Sequence, residues 1–145
     1  MLTGIFYATL HRMDYEVIFP NGMEALGGAC SCRLLRLAPE STAFILQNAE
    51  NGSERLLLGD VRRIGPEALP VLAADELSAL GCLPAEMLDS LPDDVAVLCR
   101  MRIPQGRPQD AGFDLGRLVL INTRNGKALE AERPGAPLIP LATCR

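Results

Sequence analysis

At 145 residues, with 48% hydrophobic and 22% charged side chains, the chain fits one soluble globular domain able to bury a core without staples. Aromatic residues make up only 4% and tryptophan is absent, which argues against a stacking surface for single-stranded nucleic acid. A net charge of -4 and a pI near 5.0 disfavour contact with a phosphate backbone and lean toward a basic partner.

Met1-Leu2-Thr3-Gly4-Ile5-Phe6 carries no basic export signal, and no run approaches the roughly 18 apolar residues of a membrane span. Five cysteines, an odd number without an export signal, suit reduced thiols in a cytoplasm.

Taken in order, Ile5 to Leu10 is a first strand candidate and Tyr15 to Phe19 a second, joined through His11-Arg12-Met13-Asp14. Pro20-Asn21-Gly22 is expected to break the chain, and Met23 to Leu26 to form one helical turn before Gly27-Gly28. Strands follow at Arg33 to Leu37, Ala43 to Gln47 and Arg55 to Val61. Between the last two lies Asn48 to Glu54, where Asn51-Gly52 predicts a positive-φ turn.

Between Pro66 and Pro92 the period changes from two to that of a helix. Asp75-Glu76 opens a segment with Leu77 and Leu80 on one face and Gly81 as its stop; Pro84 opens another with Met87, Leu88 and Leu91. Val95 to Ile103 then alternates, with Val95, Val97, Cys99, Met101 and Ile103 expected to be buried on one face. The opposite face starts as Ala96 and Leu98 and turns to Arg100 and Arg102. Leu118-Val119-Leu120-Ile121, apolar on both faces, reads as a central strand ending at Asn122. A second Asn-Gly turn at Asn125-Gly126, a short strand from Ala128 to Glu130 and an irregular tail from Arg133 complete the chain. Seven to nine short strands with one helical insertion predict an all-β, mainly antiparallel small barrel or sandwich, one domain over 1–145.

No constellation carries convincing chemistry. Cys30-Ser31-Cys32 is too closely spaced for an ordinary zinc pair and lacks a second pair, so the cysteines read as small side chains in a glycine-rich loop. His11 is the only histidine, leaving a thiol or metal enzyme built on Cys30, Cys32 and His11 as a remote alternative. Asp75-Glu76 and Asp93-Asp94 suit a helix start and a solvated turn. Arg62-Arg63 and the pair Arg100 and Arg102 read as solvated strand ends, although a surface arginine pair suits a partner carboxylate. Neither a cofactor nor a metal is implied, and function falls to a surface.

Several segments, in series, resemble the flagellar assembly factor FliW family. They are Val17-Ile18-Phe19-Pro20-Asn21-Gly22, Phe44-Ile45-Leu46-Gln47-Asn48, Leu56-Leu57-Leu58-Gly59-Asp60, the helix Asp75 to Leu80, Asp94 to Leu98, and Leu118 to Asn122 with its Asn-Gly turn. The chain departs from the family pattern at Gly22-Met23-Glu24-Ala25-Leu26, Asp60-Val61 and Asp114-Leu115-Gly116-Arg117-Leu118. The resemblance implies a cytoplasmic, non-enzymatic β protein that binds flagellin and, once released, the RNA-binding translational regulator CsrA, relieving repression of flagellin synthesis. A FliW-like scaffold with a different protein partner is the alternative. The expected contact surface is an acidic rim of turn and strand-end residues, Gln47, Glu50, Glu54, Asp60 and Asn122.

Overall fold

The computed structural model describes residues 14–38, 41–65, 67, 69–82, 92 and 94–140. The strand expected from Ile5 to Leu10, His11, the helical segment from Pro84 to Leu91, Asp93 and Cys144 lie outside the described residues.

Among the described residues eight strands form one sheet: β1 (Asp14–Met23), β2 (Ala29–Arg36), β3 (Ala43–Asn48), β4 (Arg55–Asp60), β5 (Val95–Arg102), β6 (Gly112–Asn122), β7 (Ala128–Glu132) and β8 (Leu138–Pro140). Strands β1 to β7 neighbour one another in chain order, every pair antiparallel. The sheet curls until β1 meets the turn before β7, where Ile18 N–H donates to the Gly126 carbonyl at 2.8 Å beside a lone parallel bridge to Lys127. The expected all-β, mainly antiparallel small barrel is therefore the observed one, and nearly closed. Among the described residues two short helices, α1 (Val61–Ile64) and α2 (Ala74–Ala79), and two 3₁₀ turns (Glu24–Leu26 and Pro108–Asp110) accompany it.

β5 shows why the barrel needs a second layer. Its Ala96 and Leu98 join Phe19, Leu34, Phe44 and Leu46 inside the barrel. Its Val95, Val97 and Cys99 pack outward with Leu72, Leu77 and Leu80 of the helical segment. Both faces are apolar because both are covered, as the continuous run of β6 from Leu118 to Ile121 also requires. The cover fades along the strand. Met101 is half-buried, and Ile103, expected in the core, lies past the end of β5 and is 53% exposed.

Four other expectations are corrected. Pro20-Asn21-Gly22 does not end a strand: β1 runs through it, and the register jumps between Ile18 and Met23, so the turn chemistry makes a bulge. Cys30 and Cys32 lie in β2 rather than in a loop, Cys30 exposed and Cys32 buried. Val61, expected to end a strand, opens α1 because the Asp60 side chain caps it. The expected loop and tail also contain strands. β6 starts at Gly112, and β8 pairs Leu138–Pro140 with Gly112–Asp114, taking over from β7 as the neighbour of that part of β6.

Candidate functional site

The loop between β3 and β4 does not use its Asn-Gly step as expected. Gly126 of the second Asn-Gly pair has φ +77°, but Gly52 is absent from the positive-φ glycines. Backbone bonds from Asn48 N–H to the Glu54 carbonyl at 2.9 Å and from Glu54 N–H to the Asn51 carbonyl at 3.0 Å close the turn, and side chains reinforce it. Asn48 Oδ1 accepts the amides of Glu50 at 2.8 Å and Asn51 at 3.3 Å, and Asn51 Oδ1 accepts Ser53 N–H at 3.2 Å and its hydroxyl at 2.6 Å.

Asn48 also fixes the loop to the barrel mouth. Its Nδ2 donates to the Leu26 carbonyl at 3.2 Å and to Glu54 Oε1 at 3.0 Å, while Ala49 N–H reaches the Ser31 carbonyl at 3.1 Å. The Glu54 carboxylate thereby lies over Gly27, a residue at φ +71°, where a Cβ would stand 2.6 Å from Oε1. A side chain at Gly27 would displace the carboxylate. Asn48 was legible only as the first residue of a polar turn; what it clasps, at the far end of the preceding 3₁₀ turn, was not.

The five candidate residues divide between the two ends of the barrel. Gln47, half-buried, sits opposite Arg33 and Arg55 in register, Glu50 is exposed, and Glu54 is half-buried under Asn48; these three are together. Asp60 ends β4 at the other end, five residues along the strand from Arg55, roughly 17 Å away. There Asp60 is 7% and Asn122 4% exposed. Asp60 Oδ1 accepts Arg62 N–H at 3.1 Å, and its N–H donates to the Thr42 carbonyl at 2.9 Å. Burial raises its carboxyl above the usual aspartate range, against the lowering effect of the Arg62 amide and of Arg63, Arg62 and Arg36. Asn122 Nδ2 donates to the Leu80 carbonyl at 2.7 Å and its Oδ1 accepts Arg124 N–H at 3.0 Å, tying the end of the helical segment to the β6–β7 turn.

Burial leaves Cys32, Cys82 and Cys99 poorly suited to nucleophilic chemistry. Burial, then the neighbouring Cys30, pushes Cys32 up to about 11, so it stays protonated at neutral pH. Cys99 packs in the outer core, and burial also raises Cys82. Among the described residues no cluster of His, Cys, Asp and Glu is placed to hold a metal ion, and no helix is long and apolar enough to cross a membrane.

No family model matches the chain. It is 30% identical over 118 residues to the flagellar assembly factor FliW of Desulfovibrio desulfuricans, covering 81% of this chain and 68% of that protein. A crystal structure of the flagellar assembly factor FliW superposes with a TM-score of 0.67 at 18% identity, covering 86% of this chain and 82% of that one. The structural likeness is one of fold.

Proposed function

This chain belongs to the FliW family of flagellar assembly factors, and from that premise we propose that it works by binding proteins: flagellin and, once released from it, the translational regulator CsrA. Sequestering CsrA would relieve repression of flagellin synthesis. In this reading the chain is one FliW-like barrel domain over 1–145 that acts in the cytoplasm, without a cofactor and without catalysing a reaction.

The observation that carries the reading is the Asn48 clasp, which presents Glu50 and Glu54 on a turn held by the barrel. A preorganised acidic turn loses little entropy on binding, and its charge speeds association with a basic partner. Gln47, Glu50 and Glu54 supply the contact surface. Asp60 and Asn122 support it indirectly, by fixing the far ends of β4 and β6.

Calorimetric titration of the Glu50→Lys variant against cognate CsrA and flagellin, at low and high salt, tests this. We expect CsrA affinity to fall about tenfold, equivalent to about 1.4 kcal/mol, with a flatter salt dependence. Unchanged affinity and salt dependence in a folded variant would place the interface elsewhere.

A further inference from the structure

The chain contains three Asn-Gly steps, Asn21-Gly22, Asn51-Gly52 and Asn125-Gly126. In such a step the glycine nitrogen can close on the asparagine side-chain carbon, because glycine has no Cβ to hinder the approach. The fold treats the three differently.

Asn125 is held at both ends of its amide. Its Nδ2 donates to the Leu80 carbonyl at 3.2 Å, and its Oδ1 accepts Lys127 N–H at 2.9 Å. Gly126 N–H, on the nitrogen that would attack, is itself bonded to the Asn122 carbonyl at 2.8 Å. Asn21-Gly22 lies within β1, and Gly22 packs so closely on Gly28 that a Cβ would stand 2.5 Å from its carbonyl oxygen.

Asn51-Gly52 has neither restraint. Both residues are exposed, and Gly52 N–H has no hydrogen-bond partner among the described residues. Asn51 Nδ2, the leaving group, makes no hydrogen bond to them either. Only Oδ1 is engaged, by two donors of Ser53, the N–H at 3.2 Å and the hydroxyl at 2.6 Å. The bond to Ser53 N–H folds the side chain over the Gly52 peptide. Both donors point at the oxygen on which negative charge gathers during attack, as in an oxyanion hole.

We propose that Asn51 is a self-modification site, converted to aspartate or isoaspartate in preference to the asparagines of the other two Asn-Gly steps. Gly52 N–H gives its proton to hydroxide, and the nitrogen attacks Asn51 Cγ. The new C–N bond closes a succinimide, and the Cγ–Nδ2 bond breaks as ammonia leaves with a proton from water, regenerating hydroxide. A water molecule then opens the ring at either carbonyl, giving aspartate or isoaspartate. The product adds one negative charge to a chain of net charge -4, on the turn that carries Glu50 and Glu54. Its consequence for binding rests on the function proposed above: the added carboxylate strengthens the attraction of this turn for a basic partner.

Incubation of the full chain in water enriched in heavy oxygen, at mildly alkaline pH, followed by peptide mapping by mass spectrometry, tests the chemistry. Label should enter position 51 at least about tenfold faster than positions 21 and 125 in the folded chain, and at similar rates at all three in urea. Ser53→Ala should slow labelling at 51 by about threefold, a fraction of what one donor contributes in a water-excluded active site. Gly52→Ala, where a Cβ lies 3.9 Å from Gln47 Oε1, should slow it by about tenfold. Equal rates at the three positions in the folded parent, which requires no variant to fold, would overturn the site. Absence of slowing in Ser53→Ala would overturn the oxyanion role. Titration of Asn51→Asp against cognate CsrA separates the consequence from the function it rests on. Binding about threefold tighter than the parent at low salt supports the consequence. Unchanged affinity beside a weakened Glu50→Lys variant overturns the consequence alone. Unchanged affinity in both overturns the contact surface proposed above, while the labelling result stands.

Discussion

At the helix-covered end of the barrel, Asp60 and Asn122 turn inward to backbone partners, while at the opposite end the side chains of Glu50, Arg102 and Arg117 face solvent with no ion pair or hydrogen bond to a described residue. The two ends carry the same kinds of residue in turns and at strand ends. They differ in whether the fold itself satisfies those residues. A satisfied polar group holds structure, whereas an exposed one whose neighbours are rigid is available to another molecule.

That contrast makes the helix-covered end sensitive in stability and the open end sensitive in binding. The largest effect is expected at Gly59, where a Cβ would lie 2.2 Å from a Phe113 ring carbon and 2.6 Å from Ile64. Gly59→Ala should cost about 3 kcal/mol by overpacking, read by urea denaturation. Asn122→Ala should cost about 1–2 kcal/mol in the same assay, since Arg124 N–H loses its acceptor while the Leu80 carbonyl keeps a bond from Asn125 at 3.2 Å.

Smaller effects separate two carboxylates by pH. Arg133 holds Glu76 below the usual glutamate range, so this contribution is present above about pH 4.5 and is lost as pH falls through the lowered value. Glu76→Gln should therefore destabilise at pH 7 and cease to do so in acid. Asp60 has the opposite sign. Its raised carboxyl favours the fold below the ordinary aspartate range and loses that contribution as pH rises through the raised value. Asp60→Asn keeps a capping oxygen, so it should be neutral to stabilising at pH 7, with any gain shrinking as the pH is lowered. Thermal melts across a pH series check both. The smallest effect belongs to the open end, where Glu50→Lys should change stability by less than about 0.5 kcal/mol while weakening CsrA binding.

Where a strand is covered on a regular face, its sequence was readable. Alternation located β3, β4 and β5, and the apolar run from Leu118 to Ile121 located the second half of β6. What escaped depends on contacts distant in sequence. Gly112 to Arg117 carries only Phe113 and Leu115 as large apolar residues, and one of its partner strands lies past Arg133. Asp60 and Asn122 were recognisable as strand ends, but their burial comes from α1 and from the segment that ends at Leu80.

Hydrogen–deuterium exchange on the chain alone and in complex with cognate flagellin tests most directly whether binding belongs to the open end. Slowed exchange is expected across 24–28 and 47–54, with 60–64, 74–82 and 119–123 unchanged. Protection confined to those last three segments would contradict binding at the open end.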